Sequence, residues 1–369
     1  MSNFDELLSE MERGKNEDII PMGFDRLSAH VGLRRSTYYL LGGYTGSGKT
    51  ALLDNAFVLN PYDWYIKNKH NTNVKLHIIY FSMERKTSHK IAKWTSRKIF
   101  LDQGIIVSPS KILGWGKKGN KLTDEENDLV KMYKPYFDEM EEYVDIIAGP
   151  QNPMHFKKYV DKYARSHGHF EKISEYKSVY IADDPSEIVE ILYDHIGLQK
   201  PETRKTDSGS ISYRSKKEII DLSSGDARDF RDVYGYSPVK LSQFNRDISN
   251  PIRIKNGSVE PSLEDFRESS VTQDDADVVM ALFDPIRYKI AFPEGKDTLG
   301  YELDKLREPT GAKKYRSLRI LKNSYGADDI GIGLGFQPVT GVFKELPKSD
   351  EITQDTYERV IDNSYFLID

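Results

Sequence analysis

The sequence predicts an α/β protein with a mainly parallel central sheet flanked by helices. Three observations carry this. Short apolar runs alternate with helical patterns along most of the 369 residues. A glycine-rich turn joins the first such run to the helix that follows it. Finally, 38% of residues are hydrophobic and 30% charged, the balance of a soluble chain long enough to bury a large core.

The elements follow in order. "FDELLSEMERG" sets Phe4, Leu7, Leu8 and Met11 at helical spacing. It predicts a short amphipathic arm that is marginal alone and needs a surface, on its own domain or on a neighbouring subunit. Residues 1–20 therefore read as an arm and linker, and 21–369 as one domain. "STYYLLGG" reads as a strand, "KTALLDNAFVL" as a helix, "VKLHIIYFS" as a second strand and "SHKIAKWTSRKIF" as a second helix. Residues 103–150 or so break the alternation with an exposed loop and a charged helix, and are expected to form a partly helical insertion. "NPMHFKKYVDKYARSHG" is helical again, "IVEILYD" a strand, and "RKTDSGSISYRSKK" a polar loop. A helix then precedes the strands "SPVKLSQF", "DADVVMALFD" and "SLRILKN", and "IGIGLGFQPVTGVFKELP" reads as a glycine-rich hairpin. There is no internal repeat and no low-complexity tract.

Composition narrows the function. A formal net charge of −5 argues against a general nucleic-acid coat, so any DNA contact must come from local loops. The absence of cysteine excludes disulfides, thiolate metal sites and cysteine nucleophiles. "MSNFDELLSEMERGK" is too charged for a signal peptide, and no apolar run approaches the ~20 residues of a membrane span. A cytoplasmic location, without a membrane partner, is the expectation.

Gly43-Tyr44-Thr45-Gly46-Ser47-Gly48-Lys49-Thr50 fits G-x-x-x-x-G-K-[ST], between a strand and a helix. Its backbone N–H groups and the helix N-terminus suit phosphates, Lys49 suits the β- and γ-phosphates, and Thr50 suits Mg²⁺. ATP and Mg²⁺ are the expected cofactors, and a flexible turn is the plainer alternative. Glu84, just past the second strand, is placed either to polarise an attacking water or to be a solvated strand end. Asp194 ends "IVEILYD" at the Walker B position, where a carboxylate serves Mg²⁺; an ordinary strand-end aspartate is the alternative. His195 beside it reads as structural more readily than as a base or ligand. Gln243 ends "VKLSQ" as a γ-phosphate sensor or a polar cap. Arg267 and Glu268 lie in a loop with Ser269 and Ser270 that suits a phosphate backbone, or binds nothing.

The order of these pieces, "YFSME", "ILYDHIGL", "KLSQFNR", "DFRESSVTQDDADVV" and "LRILKNSYG" after the glycine loop, resembles the RecA-like motor domain of DnaB-type hexameric replicative helicases, phage ones included. The resemblance spans residues ~20–345 and is weak between ~103 and ~180. It implies that Lys49 and Thr50 bind ATP–Mg²⁺, that Glu84 is the catalytic carboxylate, Asp194 Walker B and Gln243 the sensor. It makes Arg267, Glu268 and Ser270 part of the DNA loop, where the family usually reads Arg-Glu-Ser-Gly and Ser270 replaces the glycine. Lys322 matches the family's trans-acting lysine, whereas Ser324 stands where the family carries an arginine finger. The implied protein is a stand-alone, phage-like ATP hydrolase and DNA helicase working in DNA replication. It would translocate on single-stranded DNA as a homo-oligomeric, hexameric ring, with a primase or helicase loader as further partner, in the host cytoplasm if phage-encoded. A RecA-like recombinase or regulatory DNA-binding ATPase without unwinding is the alternative; a protein that kept the fold and lost turnover is a third.

Overall fold

A long apolar stretch buried on both faces of a sheet needs parallel neighbours covered by helices. Such stretches make the centre of this molecule. The computed structural model describes residues 19–115, 121–205, 211–245, 247–266, 270–292 and 294–367, with Phe4 and Leu8. From the N-terminus these form α1 (Asp25–His30), β1 (Tyr39–Gly43) and α2 (Lys49–Asp54), which continues through a π-helical turn (Asn55–Leu59) into α3 (Asn60–Asn68). Next come β2 (Lys75–Ser82), α4 (Thr87–Gln103), α5 (Pro109–Ile112), α6 (Asp124–Met132), α7 (Lys134–Met140), β3 (Val144–Ala148) and α8 (Pro153–Ser166). The hairpin β4 (Gly168–Lys172) and β5 (Ser178–Ala182) precedes β6 (Glu187–Asp194). A short hairpin, β7 (Thr203–Lys205) and β8 (Ile211–Tyr213), leads to α9 (Lys216–Tyr234) and β9 (Ser237–Gln243). The chain closes with α10 (Pro251–Lys255), α11 (Ser270–Asp275), β10 (Val278–Phe283), β11 (Tyr315–Asn323), β12 (Ile330–Gln337), β13 (Val342–Glu345) and α12 (Gln354–Asp362).

Among the described residues the main sheet has nine strands in the order β13-β12-β11-β10-β1-β9-β6-β2-β3. The six from β10 to β3 are parallel, and β11, β12 and β13 continue the sheet antiparallel. The predicted α/β class with a mainly parallel sheet is therefore the fold observed. β1 and β10 are buried at every residue, because both faces of the sheet carry packed layers. Leu41, Leu192, Leu241 and Met280 point into one layer with Leu52, Phe57 and Trp94; Ile79, Ile191 and Tyr193 point into the other with Phe156 and Phe230.

Two sequence expectations change. The stretch at 103–150 contains α5, α6 and α7, as a partly helical insertion would, but it ends in β3, the edge strand of the main sheet. Its last residues therefore belong to the core architecture, and the segment is a long crossover from β2 to β3 rather than a separate appendage. An edge strand packs on one side only, so "VDIIA" is half-buried and lacks the continuous apolar run that marks β6 or β10. The β4–β5 hairpin has no counterpart in the sequence reading, because Tyr180 alone among its residues is buried. The packed domain begins at Ile20, buried and bridged to Leu33, one residue before the expected boundary. Of the N-terminal arm, Phe4 and Leu8 are exposed, and Leu7 and Met11 lie outside the described residues.

Candidate active site

The register of the sheet decides which residues meet. Gly43 stands opposite Gln243, and Ser82 opposite Asp194. The glycine loop, Glu84, Asp194 and Gln243 therefore emerge together at the carboxyl edge, although they are far apart in sequence. A cavity of about 600 Å³ opens there, lined by Thr45, Lys49, Thr50, Glu84, His195 and Gln243 among others. That volume suits a nucleotide-sized ligand.

The loop from Gly43 to Thr50 owes its path to two left-handed glycines, Gly46 at φ +80° and Gly48 at φ +98°. At Gly48 a Cβ would also stand 3.1 Å from Phe343 and 3.3 Å from Phe336. Beneath the loop lies Arg316, almost fully buried, whose Nε donates to the Ser47 carbonyl at 2.7 Å. Its guanidinium lies 4.6 Å from the Phe336 ring centroid. Burial lowers its pKa from the ordinary value, opposed by Asp284. Lys49 Nζ donates to the Tyr44 carbonyl at 2.9 Å, folding back over its own loop. Gln243 Nε2 donates to Thr45 Oγ1 at 2.6 Å, so the strand-end amide touches the loop directly.

Thr50 Oγ1 donates to Asp194 Oδ1 at 3.1 Å. The carboxylate is fully buried, and its other oxygen accepts from Lys90 Nζ at 2.8 Å and from Tyr80 Oη at 3.2 Å. Burial pushes the Asp194 carboxyl up, but the Lys90 ammonium and the Thr50 hydrogen bond outweigh it and hold the carboxyl below its usual range. Glu190, four residues earlier on β6, shows the contrast. It is equally buried, neither oxygen has a partner, and burial drives its carboxyl well above the usual range. Glu84 is exposed and pairs with Arg85 at 3.4 Å. His195 Nδ1 accepts from the Gly197 N–H at 3.2 Å, capping a short turn, and burial lowers its imidazole pKa against the raising effect of Asp194.

Lys322 and Ser324 lie on or just after β11, two strands from β1, and neither lines the cavity of its own chain. Lys322 Nζ donates to the carbonyls of Gln273 and Asp274 at the end of α11, both at 3.0 Å. β11 is bulged: Lys322 pairs with Val279 and Ile320 with Met280, leaving Leu321 without a cross-strand partner. Arg319 is engaged by Glu260 at 3.0 Å. Arg267 and Glu268 lie outside the described residues, and Ser270 opens α11. Their loop begins at Phe266, which bridges to Phe244, the residue after Gln243. The sequence reading missed Lys90, Asp54, Tyr80 and Arg316. A lysine four residues before Trp94, on the buried face of α4, was the available signal for the first.

A glycine loop joining β1 to a helix at the carboxyl edge of a parallel sheet is the architecture of nucleotide-binding α/β proteins. The particular fold is that of the RecA-like ATPase domain of replicative helicases. The chain superposes on a DnaB-like replicative helicase, solved in a study of its interactions with primase, with a TM-score of 0.64 and 18% identity, covering 94% of this chain and 69% of that one. It superposes on a second, separately solved ATPase domain with a TM-score of 0.63 and 17% identity, covering 94% of this chain and 99% of that domain. No family model and no curated protein matches at the sequence level. No helix among the described residues is long and apolar enough to cross a membrane.

Proposed function

We propose that this chain is an ATP-driven motor of the DnaB helicase type, hydrolysing ATP and moving on single-stranded DNA as a homo-oligomeric ring. The observation that carries it is the meeting of Lys49, Thr50, Asp194, Glu84 and Gln243 around one cavity in the register of this fold. The donor set fits ATP and Mg²⁺: a hydroxyl and an ionised carboxylate 3.1 Å apart beside a lysine and a loop whose two left-handed glycines turn its backbone. Bound Mg²⁺ would neutralise phosphate charge. Lys49 would release the Tyr44 carbonyl to reach the β/γ-phosphates. Glu84 would orient and deprotonate the attacking water, and its exposure leaves it free to turn into the cavity. Gln243 would exchange Thr45 for the γ-phosphate and pass that change through the Phe244–Phe266 bridge to the loop carrying Arg267 and Glu268, which would hold DNA. Lys322 would act on a neighbour's nucleotide, which accords with its distance from its own cavity. A primase or loader is the expected further partner.

The test is unwinding of a forked duplex with ATP, beside electron microscopy with a slowly hydrolysed analogue and oligo-dT. Rings and unwinding support the reading. Filaments, or DNA-stimulated hydrolysis without unwinding, would favour the recombinase-like alternative.

A further inference from the structure

The cavity has a feature that the roles above leave unused. Behind Asp194 lies a closed network of four buried side chains from four elements. Lys90 of α4 is fully buried, as are Tyr80 of β2 and Asp194 of β6, and Asp54 at the end of α2 is 3% exposed. Lys90 Nζ donates to Asp194 Oδ2 at 2.8 Å, to Asp54 Oδ1 at 3.0 Å and to the Tyr80 hydroxyl oxygen. Tyr80 in turn donates to Asp54 Oδ1 at 2.7 Å. An ammonium has three donors and a phenol one, and here all four find acceptors.

We propose that Lys90 is the positioning residue of the metal site: it clamps Oδ2 of Asp194 from behind, so that Oδ1 stays turned to Thr50 and the cavity. The proposal rests on the nucleotide-binding reading above. A buried ammonium is costly unless paired and hydrogen-bonded, and a pair placed only to hold α4 to the sheet could be replaced by apolar side chains with little loss. The network has a second property that points to a cation. Two carboxylates face one ammonium, which leaves one negative charge, and Thr50 on Oδ1 marks the side where it meets the cavity. A divalent cation arriving beside Thr50 finds an acceptor already oriented and already ionised. Removing the clamp frees Asp194 to rotate and leaves two uncompensated carboxylates beneath the loop. Groups that hold a metal-site residue from behind typically cost about 10–100-fold in metal affinity when lost.

The experiment measures binding of a fluorescent, non-hydrolysable ATP analogue as Mg²⁺ is titrated, with thermal unfolding of each protein recorded alongside. The variants are Lys90→Met and the double variant Lys90→Met/Asp54→Asn. The second removes one carboxylate with the ammonium, so it keeps the wild-type charge balance while lacking the clamp. The expected result is a Mg²⁺ midpoint raised about 10–100-fold in both, with binding in EDTA unchanged and unfolding of the double variant close to wild type. A folded variant with the wild-type midpoint overturns the proposal. So does failure of both variants to fold, which would assign Lys90 a structural role. A wild type that binds no nucleotide overturns the function reading itself, and the clamp with it; a wild type that binds while the variants match it overturns the clamp alone.

Discussion

Lys49 donates to the carbonyl of Tyr44 in its own loop, a bond a phosphate oxygen can replace. In the proposed role it is the cation aimed at the β/γ-phosphates, so Lys49→Ala should reduce ATP hydrolysis to background while the thermal unfolding curve stays close to wild type. Turnover within a few-fold of wild type would refute the loop's assignment. Ser324 poses the opposite question. It is exposed just past the end of β11, its N–H on the Asp277 carbonyl at 2.9 Å, and a hydroxyl cannot supply the charge of an arginine finger, a contribution on the order of 10³–10⁵ in rate. Arg319 is held by Glu260, so it is a poor substitute even though the bulge at Leu321 alters the facing of the strand. The expected enzyme is slow, and Ser324→Arg should speed DNA-stimulated hydrolysis severalfold while Lys322→Ala slows it. A fast wild type, unchanged or slowed by the new arginine, would place the finger elsewhere.

Among the elements, β3 shows how an edge is held. Its outer side has no partner strand among the described residues, and Asp145 provides the side-chain tie: it accepts from His77 of β2 at 3.2 Å and from Tyr159 of α8 at 3.1 Å. The His77 hydrogen bond, against the raising effect of burial, holds the Asp145 carboxyl below its usual range. A depressed carboxyl stabilises the fold above its unfolded pKa, roughly 4, and that stabilisation is lost as pH falls through the lower folded value. Asp145→Asn should therefore remove part of the acid loss seen in urea unfolding between about pH 5 and 2. At neutral pH the cost should stay below about 1 kcal/mol, because the side chain is 38% exposed. Superimposable pH curves for the two proteins would show that the tie has no linkage to protons.

At the scale of the whole molecule, the proposed ring must be held by surfaces that one chain leaves open. Phe4 and Leu8 are 65% and 44% exposed, on an arm whose sequence is amphipathic. Laying that apolar face on a neighbour would bury it. Deleting residues 1–14 should weaken assembly more than it lowers the stability of the monomer, as read by sedimentation velocity with ATP analogue and DNA. An unchanged sedimentation profile would rule the arm out as the tie between subunits.

The sequence alone determined the glycine loop, the strand ends carrying Glu84, Asp194 and Gln243, and the α/β class. Each is written in local spacing: a fixed interval of glycines before a lysine, or an apolar run that stops at a polar residue. It left β3 and the β4–β5 hairpin unread, since strands packed on one side or on little at all carry no continuous apolar signal. Only the tertiary structure decided what stands behind the site. Lys90 meets Asp194 across 104 residues of chain, and Arg316 meets Ser47 across 269. Both are charged residues in sequence contexts that normally face water, and nothing local marks them as buried. What commits them to the interior is which elements pack against which, and the requirement that each charge taken from water find its partners there.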